Sequence, residues 1–445
     1  MATAAVPANA GPFAINVEQP ASRVDPLSLR VSRILLVFML MAAPLAFGAV
    51  QTWAWASLAL IAALLLILWA VGCLQRRTVT IYWSALYIPA ALFLLLGIGQ
   101  LAGHLTLDPF ETREALVQFG SDLVFFFLAG QLWADASGKT RKSFGFAVAV
   151  YAFSIALFAI IQFFTSHGLL YWVIHTPGNV FGPYVNHNDY AGLMEILIPI
   201  ALCYALSRPL RSLQRSLLLF GMCGVIASVL LSGSRGGMIS VMVEMAILGM
   251  LLWRLKKIRF PDKRSPLAFI AIAGAAVLFL VLTPVSAWQR MATIAGVASK
   301  PEVTLGERLL VSQDALIALK DYPWLGTGLG TFEPVFPQYQ TFSTDLVWQH
   351  AHDDYVEALM ETGVVGGLLL LSALILFLRL AFSNLPERLK DAGGWIQLGA
   401  ALGCCGLLVH SFADFNLHIP ANAAWFAVGA GLSVMPGMRF GLRLR

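Results

Sequence analysis

The stretch 348–363, WQHAHDDYVEALMETG, gathers two histidines, two aspartates, a tyrosine and two glutamates. Three chemistries fit these residue types at this spacing. Asp353 or Asp354 can cap a helix that Glu357 and Glu361 continue on one face, four residues apart. His350-x-His352-x-Asp354 matches part of a dinuclear hydrolase signature, yet the next histidine of that signature would fall on Tyr355. No H-E-x-x-H zinc pattern occurs either. Lastly, a histidine oriented by a carboxylate can take a proton from a hydroxyl nucleophile. Capping does not require two histidines and the metal signature is incomplete, so a general base fits best.

Two arginines supply complementary chemistry. Arg235 sits in LLSGSRGGMISV, where glycines let a ligand or another backbone come close. Ser232 or Ser234 can cap the following helix, whose N-terminal amides favour an anion, and a guanidinium adds a fork of donors suited to phosphate oxygens. The plainer alternative is a turn arginine snorkelling to the membrane interface. Arg308 lies in a segment, 305–320, that reads as an amphipathic helix: Leu309, Leu310, Ala315, Leu316 and Leu319 against Glu307, Arg308, Gln313, Asp314 and Lys320. The pattern breaks at Tyr322-Pro323 and runs into Gly326, Gly328 and Gly330. Such a helix on the membrane face would hold Arg308 near headgroups; a solvated arginine is the alternative, and Arg290 has the same one. Two more polar knots exceed what a connection needs. One holds Asn186, His187, Asn188 and Asp189, with Glu195 beyond; the other holds Asp414, Asn416, His418 and Asn422.

These residues must be carried by membrane helices. The chain is 58% hydrophobic and 12% charged, and apolar runs long enough to cross about 30 Å of hydrocarbon recur along it. Twelve are predicted, centred on 31–50, 53–73, 82–102, 115–134, 144–165, 190–206, 216–232, 237–253, 267–285, 363–380, 395–412 and 421–437. With the N-terminus in the cytoplasm, 23 of the 29 Lys and Arg residues fall on the inner side, the bias expected of a correctly oriented polytopic protein. All eight histidines then fall at the outer face. The net charge of +5 is thus a topology signal and gives no support to nucleic-acid binding. The expected organisation is a cytoplasmic tail over 1–30, membrane helices 1–9 over 31–285, and a large periplasmic loop with amphipathic helices over 286–362. Helices 10–12 over 363–437 and a cytoplasmic tail over 438–445 complete it. A tail of about 30 residues before the first run argues for a retained anchor over a cleaved signal, and the five cysteines offer no disulfide framework. Glu244 is expected to face the bundle interior.

In order along the chain, VNHNDYAGLMEILIP, LLSGSRGGMIS, RLLVSQDALIALKDYPWLGTGLGTF, HAHDDYVEALMETGVVG and HSFADFNLHIPANA resemble the O-antigen ligase and Wzy-type polymerase superfamily of bacterial inner-membrane glycosyltransferases. The resemblance covers about 180–425. It implies an all-α, GT-C-like fold and a metal-independent, inverting transfer without cofactor. A glycan on undecaprenyl diphosphate would move to an acceptor hydroxyl at the periplasmic face: lipid A-core for a ligase, a lipid-linked repeat for a polymerase, a protein for an O-oligosaccharyltransferase. By motif position the diphosphate-binding arginines fall on Arg235 and Arg308, and the catalytic histidine on His352, with His350 as alternate. Asn186, Asn188, Asp353, Asp354, Tyr355, Asp414, Asn416 and His418 are further substrate-binding candidates. Asp353 stands where the family commonly has asparagine; it would either raise the pKa of His352 or cap the helix. A transporter or flippase is the rival class. It would predict broken or charged helices near the midplane and an internal repeat; the polar groups instead cluster at one face.

Overall fold

The computed structural model describes residues 25–208, 213–256, 305–344, 347–435 and 438–443. Its helices, in chain order, are α1 (Leu27–Ala42), α2 (Thr52–Arg76), α3 (Tyr87–Ala102), α4 (Pro109–Ala134), α5 (Gly138–Thr165), α6 (His187–Leu206), α7 (Leu213–Ser232), α8 (Arg235–Arg254), α9 (Leu305–Asp321), α10 (Phe332–Val335), α11 (Asp354–Ala381), α12 (Leu385–Arg388), α13 (Ala392–His410) and α14 (Pro420–Ser433). Among the described residues nine helices are long and apolar enough to cross a membrane: α1 with its 3-10 extension, α2, α4 to α8, α11 and α13. The runs predicted at 82–102 and 421–437 form the shorter helices α3 and α14. The run predicted at 267–285 lies outside the described residues, as does Arg290. The molecule is therefore a helical, polytopic membrane protein.

One element departs from an all-helical expectation. β1 (Thr78–Trp83) and β2 (Met438–Arg443) pair antiparallel, with Thr78 opposite Arg443. The TVTIYW run is β-branched and aromatic throughout, a composition that suits a pleated ribbon better than a helix start.

α6 is buried on all sides along nearly its whole length, its polar residues His187, Asn188, Asp189 and Glu195 included. Its main partner is α13, and glycines on α13 set the spacing. A Cβ at Gly399 would lie 2.5 Å from the Pro199 carbonyl oxygen, and one at Gly403 2.7 Å from the Ile196 Cα. Small residues at such a contact let backbones approach as they do inside bilayers. Around this core α2, α3, α5, α7 and α11 expose leucine, isoleucine and phenylalanine outward, Leu60, Leu95, Ile161, Phe220 and Leu368 among them. An apolar exterior of this kind needs lipid.

α11 is broken at Gly363 (φ 63°, ψ −165°), a backbone region essentially restricted to glycine. The break separates a polar half, 354–362, from an apolar half, 364–381, that spans about 27 Å at about 1.5 Å per residue. The segment 323–328 plugs the gap. Val364 and Val365 donate to the carbonyls of Pro323 and Trp324 (2.9 and 3.1 Å), while Thr327 and Gly328 donate to those of Met360 and Glu361 (both 3.0 Å). Gln100 of α3 completes the patch: its amide donates to Leu325 O (2.5 Å) and Glu361 O (2.8 Å), and its oxygen accepts from Leu329 N (3.1 Å). The broken helix thus leaves few backbone groups unpaired.

α9 confirms the helix predicted over 305–320 but buries a different stripe. Val311, Ala315 and Ala318 pack with Phe332, Phe336, Trp348, Ala351 and Met360 in a second small core, while Leu309, Leu310 and Leu316 are exposed. Asp314, assigned to the polar face, is buried and accepts from Thr341 N at 2.8 Å. The second core turns α9 so that Arg308 points back toward the loop after α13, where the Ala413 carbonyl accepts its hydrogen bond.

Candidate active site

Three loops meet at one end of the bundle: the segment before α11, the turn between α13 and α14, and the start of α9. Asp353 is the N-cap of α11, its carboxylate accepting from Tyr355 N (3.0 Å) and Val356 N (3.1 Å). Of its two expected roles it takes the cap. Burial raises its pKa, opposed by those amide bonds. The carboxylate that reaches His352 comes instead from Asp414: Oδ1 lies 3.1 Å from His352 Nδ1. The other oxygen of Asp414 lies 3.7 Å from Arg308 Nη1. Burial would raise the pKa of Asp414, but the Arg308 charge and the His352 hydrogen bond hold it well below the usual carboxylate range. One buried carboxylate therefore joins the predicted base to one predicted phosphate ligand. His352 itself has φ +53°, in the left-handed region, immediately before the N-cap of α11.

His350 stands in a second group. Its Nδ1 lies 2.8 Å from Glu357 Oε1, and His418 Nε2 lies 3.3 Å from the same oxygen. Asp354 Oδ1 meets His418 Nδ1 at 2.7 Å and Oδ2 accepts from Leu417 N at 3.3 Å. Burial would lower the pKa of His418, but Glu357 and the Asp354 bond push it up to about 10. Phe415 separates the two groups, with the His350 ring stacked on it at 4.5 Å and the His352 ring edge-on at 4.8 Å. Tyr355 donates to Leu408 O at 2.6 Å and braces α11 against α13.

Arg235 is the first residue of α8, capped by Ser234, whose Oγ accepts from Gly237 N at 3.2 Å. Among the described residues its half-buried side chain has no hydrogen bond or ion pair. The neighbouring Gly236 packs against the His410 ring, where a Cβ would lie 2.4 Å from Nε2. His410 pairs through Nδ1 with Glu195 Oε1 at 2.7 Å, deep between α13 and α6, and its carbonyl accepts from Ala413 N and Asp414 N (2.8 and 3.2 Å). The SRG turn is thereby one side chain removed from the loop that holds Asp414. Glu244, on the same helix as Arg235, is fully buried as expected.

The remaining candidates are structural in their contacts. Asn186 caps α6 by accepting from Asn188 N at 3.0 Å, and Asn188 and Asp189 are buried in the first turn. Asn416 accepts from Asn422 Nδ2 at 3.0 Å, and Asn422 also donates to Asp189 O at 2.9 Å, so the two polar knots interlock. Sequence reasoning missed the His410–Glu195 pair and the pairing of Glu357 with His350; the only signal was a polar residue set at the edge of an apolar run.

Comparison with curated proteins finds no match to the chain. The family model described as O-antigen ligase matches residues 217–371, a segment that carries Arg235, Arg308, His350, His352 and Glu357 and stops short of Asp414 and His418. Over that segment the chain is similar to the O-antigen ligase family.

Proposed function

We propose that the protein transfers a glycan from an undecaprenyl-diphosphate-linked donor to an acceptor hydroxyl at the periplasmic face of the bacterial inner membrane. The match to the O-antigen ligase family model over 217–371 supports ligase- or polymerase-type glycan transfer. The single observation that carries the finer mechanism is the carboxylate of Asp414 shared by His352 (3.1 Å) and Arg308 (3.7 Å). With Nδ1–H donated to Asp414, His352 Nε2 is left as the proton acceptor. It removes the proton from the acceptor hydroxyl as that oxygen bonds to the anomeric carbon, and the bond from that carbon to the diphosphate oxygen breaks. Attack from the side opposite the leaving group inverts the anomeric centre. Arg308 spends one donor on Ala413 O and has others for phosphate oxygens, and Arg235 arrives from the adjoining turn; both neutralise charge gathering on the departing diphosphate. His350 is the less favoured base because its carboxylate, Glu357, has no arginine beside it in the described contacts.

The test is transfer by purified protein in proteoliposomes, from a lipid-diphosphate glycan to competing lipid A-core, lipid-linked repeat and protein acceptors. His352→Ala should abolish transfer while leaving insertion and the helical spectrum unchanged. An active His352→Ala enzyme beside an inactive His350→Ala enzyme would move the base to His350. Movement of intact donor across the bilayer without glycan transfer would support a flippase instead.

A further inference from the structure

The second group, His350, Glu357 and His418, is not used by the transfer chemistry, and its three side chains converge from three segments. His350 precedes α11, Glu357 lies in its first turns, and His418 belongs to the 3-10 turn Asn416–His418 before α14. One donor atom from each lies within 4.8 Å of the other two, and His350 Nδ1 and His418 Nε2 approach the same Glu357 Oε1 to 2.8 and 3.3 Å. Two of the donors are also aimed. Asp354 holds His418 Nδ1 at 2.7 Å and so leaves Nε2 facing Glu357. The Ala351 amide holds Glu357 Oε2 at 2.8 Å and leaves Oε1 between the two rings. A carboxylate behind a histidine, fixing which nitrogen points inward, is the arrangement that orients metal-bound imidazoles.

We propose that His350, Glu357 and His418 bind one divalent transition-metal ion of the zinc class. Two imidazoles and a carboxylate with an open fourth position suit zinc. Calcium and magnesium, which favour all-oxygen shells, do not match this donor set. The ion lies outside the reacting atoms. Its work is to staple the segment that carries His352 to the turn that carries Asp414, across the Phe415 ring that touches both His350 and His352. Separations of 7 and 61 residues between successive ligands match no short motif, which is why the sequence does not reveal the set.

The experiment uses the full chain in detergent, stripped with a chelator and titrated with Co2+ while the visible spectrum is followed. A parallel measurement determines the zinc content of protein purified without chelator. Wild-type protein should take up about one cobalt per chain with the intense absorption of a low-coordinate site. Glu357→Gln and His418→Asn should lose that uptake. Asp354→Asn, which keeps all three ligands, should weaken it by about 10- to 100-fold. His352→Ala should bind as wild type, because it lies in the other group. Wild-type protein that yields neither stoichiometric cobalt nor the absorption overturns the proposal, leaving the cluster as an imidazolium–carboxylate ion pair. Equal binding by folded Glu357→Gln and His418→Asn proteins overturns it too. These readouts do not involve glycan transfer, so a failure of the transfer mechanism would leave them untouched.

Discussion

Asp414→Asn is the sharpest perturbation of the proposed mechanism. The substitution keeps the size of a side chain that is 1% exposed and removes only the charge that His352 and Arg308 share. A hydrogen bond to a charged partner contributes about 1.5–3 kcal/mol. At about 1.36 kcal/mol per factor of ten, that is a loss of about 10- to 150-fold in rate. The loss should fall in kcat, because the imidazolium formed when His352 takes the proton is no longer stabilised and its tautomer no longer held. KM for the donor should change less, since Arg308 keeps its bond to Ala413 O. The assay is initial-rate glycan transfer in proteoliposomes over a range of donor concentrations. An unchanged kcat, or a defect confined to KM for the donor, would refute the idea that Asp414 acts through His352.

Arg235→Ala and Arg308→Ala should each raise KM for the diphosphate donor and lower kcat/KM by about 10- to 150-fold, matching the same 1.5–3 kcal/mol per charge-assisted contact; normal donor kinetics in both would remove the phosphate clamp. Asp414 also sets an acid limit. Its pKa is depressed in the folded state, so its stabilisation is fully present above the unfolded value of about 3.9 and is lost as pH falls through the folded value. Thermal unfolding should show wild type losing stability on acidification below about pH 5, with Asp414→Asn less stable at neutral pH and losing less over the same range. Gly363→Ala should lower stability by about 1–3 kcal/mol, because its Cβ would meet the Trp324 backbone at 2.5 Å in a conformation closed to alanine. An unchanged unfolding midpoint would mean that the break in α11 is not fixed by glycine.

Much of the helical frame is legible because apolar runs of membrane length have few other uses. The switch at Gly363 is legible as well: the predicted run began there, where the polar half of α11 gives way to VVGGLLLL. What escapes is pairing across distance. His352 and Asp414 are 62 residues apart, and nothing local in HAHDDY says that its partner carboxylate comes from HSFADF while the adjacent Asp353 is spent on capping. The stripe on α9 misled for a related reason. Leu309 and Leu310 are more apolar than Ala315 and Ala318, yet the small residues are the ones that fit against Phe332 and Trp348. β1 was hidden because a β-branched run beside a membrane helix reads as the start of the next apolar segment.

Gln100 bears on modularity. The family match starts at 217, which would suggest that the first 200 residues are a separable addition. Yet the carboxamide of Gln100 services three backbone groups of the family-matched segment, at Leu325, Leu329 and Glu361. Trp425 in α14 likewise donates to Leu40 O of α1 at 2.7 Å. A fragment cut at the family boundary would expose those carbonyls and amides to hydrocarbon or force the seam at Gly363 to rearrange. The N-terminal third is therefore a built-in folding partner of the family-matched segment, and a fragment that keeps the seam at Gly363 intact must carry both.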